Sequence, residues 1–234
     1  MNKRPLTRQL PLEFEHDPAS GRDDLIVSDR LSAAVSIVDR WPDWPSPVVI
    51  LAGPTGSGKS HLASIWAARV GASRVDIGTA DPMVLELAAQ GPILIEDIDR
   101  TDFDQTALFH LINAVREHGS AMLVTTRLWP SAWNVTLPDL ASRLKAATVV
   151  EIAEPDEALL AQVMVKLFAD RQVAVDDRII VYLVARMERS LAAARAIVSR
   201  IDQLALARGS KITRALAAEV MAEMDAGKGD IELS

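Results

Sequence analysis

Cysteine is absent from the 234 residues. That excludes disulfides and cysteine-ligated zinc or iron–sulfur centres, and it is compatible with a reducing compartment. Histidine is scarce, with four scattered residues, so a histidine metal cage is not expected. No apolar run approaches the roughly 18 residues of a membrane-spanning helix. Met1–Arg8 is basic but leads into the charged, proline-punctuated Gln9–Asp17, not into the apolar core of a signal peptide. An excess of positive charge is missing too. The formal charge is -7 and the isoelectric point lies near 5.1, which argues against a chain whose main business is free nucleic acid. What remains is a globular composition, 49% hydrophobic and 24% charged, long enough for one substantial core or a core with a small satellite. A cytoplasmic protein is the expectation.

Against this background one stretch stands out, Val48–Leu62, VVILAGPTGSGKSHL. It reads as a buried strand (Val48–Ala52), a glycine-rich turn (Gly53–Gly58) and a helix from about Lys59. The turn carries the phosphate-loop pattern G-x-x-x-x-G-K-S in its required strand–turn–helix setting. Glycines let consecutive backbone N–H groups turn inward around a phosphate, and the helix N-terminus adds partial positive charge. The expected nucleotide cradle is Gly53, Pro54, Thr55, Gly56, Ser57, Gly58, Lys59, Ser60 and His61. Lys59 would reach the β and γ phosphates and Ser60 would ligate Mg2+, with ATP or ADP as the cofactor.

In chain order, residues 1–20 read as a tail containing the proline-interrupted apolar peptide Gln9-Leu10-Pro11-Leu12-Glu13-Phe14. An extended peptide of this kind suits docking into a partner's pockets, and packing on its own domain is the competing reading. Leu25, Ile26 and Val27 suit either a cover over an adenine or core packing. Ser28 caps an expected helix to about Trp41, and Trp41–Pro47 reads as a rigid turn with two surface tryptophans. Ser73–Ile77, Ile93–Ile95, Ala121–Val124 and Thr148–Ile152 read as further strands. The strand Ile93–Ile95 ends in Glu96-Asp97, acids delivered at a strand's C-terminal edge beside the loop. One of them would hold Mg2+ and the other would polarise a water. Asp99 fits a turn or cap. Thr125 and Thr126 close the next strand as candidates for sensing a phosphate or for capping the strand end. From Asp156 only helices follow, at Asp156–Asp170, Asp176–Arg186, Ser190–Ala207 and Thr213–Met224. The expected fold is α/β: an AAA+ P-loop module with a five-stranded parallel sheet sandwiched by helices in residues 21–153. A small all-helical lid follows in 154–225 and a polar tail in 226–234.

With these motifs placed, the sequence resembles the DnaA branch of AAA+ proteins, and within it the Hda/HdaA regulators of that initiator. The likeness covers about residues 9–225 and rests on GPTGSGKSHL (Gly53–Leu62), ILIEDID (Ile93–Asp99), LPDLASRL (Leu137–Leu144) and QLPLEF (Gln9–Phe14). The resemblance implies a regulator that joins DNA-loaded sliding clamp through Gln9, Leu10, Leu12 and Phe14. It implies that Arg143 is an arginine finger acting in trans on ATP bound to DnaA, leaving the inactive ADP form and preventing re-initiation. A guanidinium suits that task through its fixed charge and planar donors; without the resemblance, Arg143 reads as a surface helix arginine in a salt bridge. Nucleotide sites in AAA+ proteins sit at subunit interfaces, which makes a homodimer an expectation as well.

Departures from the branch pattern bear on mechanism. Glu96 stands where initiators have the first aspartate, Thr125 or Thr126 stands at the first-sensor edge, and Ala192 falls on the second-sensor arginine, with Arg189 and Arg195 nearby. Together they predict weak intrinsic hydrolysis, with Asp97 as the water-polarising acid of any that survives, and a nucleotide held as a structural ligand. The short Asp81–Gln90 connection and the lack of a helix-turn-helix segment after the lid favour a regulator over an initiator. The rivals are an autonomous helicase-loader-like ATPase and a nucleotide-gated scaffold that binds clamp or initiator without accelerating hydrolysis.

Overall fold

The structure, a computed structural model, describes residue 26, residues 29–77 and residues 82–229. Among them five parallel strands form one sheet: β1 (Val48–Ala52), β2 (Ser73–Arg74), β3 (Ile93–Ile95), β4 (Met122–Thr126) and β5 (Thr148–Glu151). Their spatial order is β2-β3-β4-β1-β5. β1 is central and buried along its whole length, as a strand covered on both faces must be. Its register sets Ile50 beside Val124 of β4 and Val149 of β5.

Strand alternation divides the core in two. Val49, Leu51, Leu94 and Leu123 face one side, where they meet Leu62, Ala63 and Trp66 of α2 (Lys59–Val70) and Leu31, Val35 and Val38 of α1 (Asp29–Asp39). Val48, Ile50, Met122 and Val124 face the other, against Leu108, Leu111, Ile112 and Val115 of α4 (Gln105–Glu117) and Leu140 and Leu144 of α5 (Pro138–Lys145). A further helix, α3 (Pro82–Gln90), joins β2 to β3. The chain then continues through α6 (Glu157–Asp170), α7 (Asp177–Val184), α8 (Leu191–Arg208) and α9 (Arg214–Gly229). These lid helices extend the first core without a break, through Leu160, Phe168, Ile180, Val198 and Val220.

Helix starts follow local chemistry. Asp104, Asp156, Asp176 and Ser190 each accept hydrogen bonds from first-turn N–H groups of α4, α6, α7 and α8, satisfying donors the helix cannot. Two expectations are corrected. The second strand stops at Arg74 instead of Ile77, because after Val75 N–H donates to Leu94 the chain leaves the sheet edge. The tryptophans of Trp41–Pro47 are not lids on the surface. Trp44 stacks on the fully buried Trp66 at 5.2 Å between ring centroids and donates its Nε1–H to the Ile37 carbonyl at 2.6 Å. Among the described residues no helix is long and apolar enough to cross a membrane.

Candidate functional site: a phosphate loop gripped by the lid

β1 delivers the loop at the C-terminal edge of the sheet, between the ends of β4 and β5, where open α/β sheets bind ligands. Gly53 N–H donates to the Thr126 carbonyl of β4 at 3.1 Å. The opposite side of Gly53 lies so close to β5 that a Cβ there would stand 2.1 Å from the Ile152 carbonyl oxygen. Gly56 has φ +75° and touches the start of α8: its carbonyl accepts from Leu191 N–H at 2.8 Å, and a Cβ would stand 2.2 Å from that of Ser190. The loop is therefore held between the sheet and the lid, with glycine required at both contacts.

α2 begins at Gly58, φ +103°, with no side-chain cap. The four helices named above use an acid or serine at that position; here the first N–H groups are left for an anion. Ser57 is buried and its Oγ has no partner, an orphaned polar atom inside the cradle that a phosphate oxygen would satisfy. Lys59 is buried at 4% exposure and folds back, its Nζ donating to the carbonyls of Gly53 at 2.6 Å and Pro54 at 2.8 Å. Burial lowers its pKa; the carboxylates of Asp97 and Asp99 work the other way, and Arg127 adds to the lowering. A buried cation, an uncapped helix end and an unsatisfied hydroxyl on glycine-shaped backbone fit a nucleotide's phosphates.

The acids after β3 separate into different tasks. Glu96 is committed to Arg74 of β2, which also donates from Nη2 to Ser64 Oγ at 2.9 Å. Asp97 takes φ +47°, and its N–H donates to Thr125 Oγ1 at 2.8 Å; it and Asp99 are the acids whose charges raise the pKa of Lys59. Asp99 accepts from the backbone N–H groups of Arg127 (2.9 Å) and Leu128 (2.9 Å). Burial opposes ionisation of its carboxyl, but these bonds and the Thr126 hydroxyl prevail, so its pKa is lowered. Of the trio expected to hold Mg2+, Ser60, Glu96 and Asp97, Glu96 has its carboxylate paired with Arg74. Among the described residues no three His, Cys, Asp or Glu side chains gather as a metal site.

No protein-family model matches the sequence, and no curated protein does. Solved structures do. Domain III of the replication initiation protein DnaA from Thermotoga maritima superposes with a TM-score of 0.72 at 15% identity, over 88% of this chain and 97% of that one. The RuvB Holliday junction branch migration motor from Thermotoga maritima gives 0.66 at 16% identity, over 87% of this chain and 71% of that one. AMPPCP-bound DnaA from Aquifex aeolicus gives 0.63 at 16%, over 77% and 64%. The chain has the AAA+ fold. At such identities the likeness is one of fold, and function has to come from the residues.

Within the AAA+ fold the remaining candidates fall as follows. Thr125 and Thr126 are fully buried. Their hydroxyls hold Asp97 N–H and, for Thr126, the Leu128 carbonyl and Trp133 Nε1–H, so both brace the strand end. Ser60 is exposed beside the loop, and Ile26 packs against the first core. Arg189 is exposed and paired with Glu157 at 3.0 Å. Ala192 is exposed. Arg195 is half-buried one turn beyond Leu191, with desolvation lowering its pKa and no partner among the described residues. Arg143 sits in the last turn of α5, half-buried, without a hydrogen bond or ion pair from its guanidinium among the described residues. α5 packs on the sheet face opposite α2. Leu25, Val27, Gln9, Leu10, Leu12 and Phe14 lie outside the described residues.

Sequence reasoning missed Arg74 and Arg127. The signal for Arg74 was its place on the strand expected to flank β3; for Arg127 it was a cation directly after the Thr125-Thr126 strand end.

Proposed function

We propose that this chain is a DnaA-related AAA+ regulator that binds an adenine nucleotide at Gly53–His61 and supplies Arg143 to ATP held by the initiator DnaA. The observation that carries this reading is the place of Arg143. Arg143 forms no ion pair among the described residues, a state it shares with Arg40, Arg100, Arg116, Arg178, Arg186, Arg195 and Arg214; what singles it out is its place in the LPDLASRL segment. Its helix lies on the sheet face opposite α2, and in this reading the guanidinium serves a neighbouring molecule's phosphates. An arginine offered in trans neutralises charge on the transferring phosphoryl group.

The nucleotide of this chain then acts as a structural ligand. Gly56 and Gly58 touch Ser190 and Leu191, so a phosphate seated on the loop bears directly on the pose of the lid. The commitments of Glu96, Thr125 and Thr126 support weak hydrolysis by the chain itself and count against the autonomous ATPase. In this reading Gln9–Phe14 binds the sliding clamp, which brings the regulator to replicating DNA in the cytoplasm, and Arg143 leaves DnaA in its ADP form. Two copies of the chain pairing through nucleotide sites would form an idle homodimer in which Arg143 is occupied.

The test is a reconstituted assay of DnaA-bound ATP with clamp loaded on DNA. The wild-type chain accelerates hydrolysis, Arg143→Ala does not, and Leu10→Ala with Phe14→Ala removes the clamp requirement's benefit along with clamp binding. Acceleration that survives Arg143→Ala refutes the assignment. A scaffold would bind DnaA and leave its ATP/ADP ratio unchanged.

A further inference from the structure

The pairing of Arg74 with Glu96 has a consequence for what the loop needs in order to bind. Glu96 follows Ile95 on β3 and shares a face with Leu94, the face covered by α2. Its carboxylate stands on the same side of the sheet as the loop helix. A carboxylate beside a diphosphate repels it unless a cation stands between, which is the ordinary task of Mg2+ in such sites.

Here a cation already meets that carboxylate. Arg74 reaches across from the neighbouring strand, where it is in register with Leu94. One guanidinium nitrogen meets Glu96 Oε2 and the other donates to Ser64 Oγ at 2.9 Å. Ser64 follows Ser60 by four residues on α2, so both lie on one face of that helix. The guanidinium thus bridges β3 to the helix face that carries Ser60, the serine of the loop motif. Its planar fork suits a carboxylate and a hydroxyl at once, and its charge cannot be titrated away. The pair is half-exposed and adds little to the stability of the fold.

We propose that Arg74 takes the place of the divalent cation here, neutralising Glu96 so that the chain binds an adenosine diphosphate or triphosphate without Mg2+. The inference rests on the nucleotide reading above and specifies the chemistry of that same site: metal-free binding, with the usual metal-facing acid silenced by an arginine.

The experiment measures the affinity of the full chain for mant-ADP by fluorescence anisotropy, in Mg2+ and in EDTA. Wild type, Arg74→Ala and the double variant Arg74→Ala/Glu96→Gln are compared, each checked for a native melt. Wild type is expected to bind with dissociation constants agreeing within about threefold, less than one charge-assisted contact. Arg74→Ala exposes the carboxylate and becomes dependent on Mg2+, binding on the order of tenfold more weakly in EDTA than in Mg2+. The double variant removes the carboxylate and loses that dependence. Wild-type binding that falls tenfold or more in EDTA overturns the proposal while leaving the nucleotide reading intact. So does an Arg74→Ala protein with no greater response to Mg2+ than wild type. No binding by wild type in either condition overturns both.

Discussion

Gly56→Ala is the substitution whose cost can be worked most fully from the structure. Gly56 has φ +75°, and an added Cβ would stand 2.2 Å from Ser190 Cβ and 2.9 Å from its Oγ. The left-handed conformation costs an L-residue about 1–2 kcal/mol, and forcing a methyl group into packed surroundings costs about 1–3 kcal/mol more. Alanine's smaller freedom in the unfolded chain returns about 0.4–1 kcal/mol. The expected loss is about 1–5 kcal/mol, centred on about 3 kcal/mol, a large part of the stability of an ordinary domain. Urea unfolding followed by tryptophan fluorescence reads it directly, since Trp66 lies on α2, the helix that follows the loop. Ser190→Gly in the same chain removes the obstructing side chain. Glycine at a helix N-cap costs only a few tenths of a kcal/mol, so the double variant is expected to recover roughly the steric part. A loss below about 1 kcal/mol for Gly56→Ala, or a double variant no better than the single, would refute the claim that the loop and the lid are locked together at this contact.

Two further perturbations follow from the same geometry. Asp99 has a folded pKa below its unfolded value, because the N–H bonds from Arg127 and Leu128 outweigh the burial that raises it. Its stabilisation is therefore present above the unfolded value of about 4 and is lost as pH falls through the folded value. Asp99→Asn is expected to cost about 1–3 kcal/mol at neutral pH, with the wild-type and variant stabilities converging as pH falls through the folded value; a gap that does not narrow in acid contradicts the assignment. Lys59→Ala is expected to abolish the rise in melting temperature that ADP gives the wild type, about 2.7 kcal/mol at a hundredfold excess over Kd. An undiminished shift would show that nucleotide binds elsewhere.

What could be read from the sequence was local. The loop announces itself because glycine spacing, an apolar strand and a helix start all fall within Val48–Leu62, and the caps Asp104, Asp156, Asp176 and Ser190 each act within three residues of themselves. The five strands could be placed from their apolar runs, whereas their spatial order is a finding of the structure. The roles decided by contacts across the sheet could not be read. The partner of Glu96 is Arg74, 22 positions earlier. The hydroxyl partners of Thr125 and Thr126 lie on other loops or across the strand end. Trp44 looks like a surface residue until Trp66 is beneath it. Each depends on a neighbour set by sheet register or helix packing, distances that no local window contains. Arg143 is the reverse case: its motif points to a role in trans, and the structure adds that its guanidinium is unpaired among the described residues.

The central claim is that Arg143 works on another molecule's ATP. The most direct measurement is the single-turnover rate of hydrolysis of ATP bound to DnaA, with clamp-loaded DNA and either wild type, Arg143→Ala or Arg143→Lys. An arginine finger contributes on the order of 10³-fold or more, and a lysine's point charge does not reproduce its planar donors. The account predicts acceleration by wild type and near-basal rates for both variants, with the folding of each unchanged because the side chain makes no ion pair among the described residues. Acceleration by Arg143→Ala equal to that of wild type would contradict it.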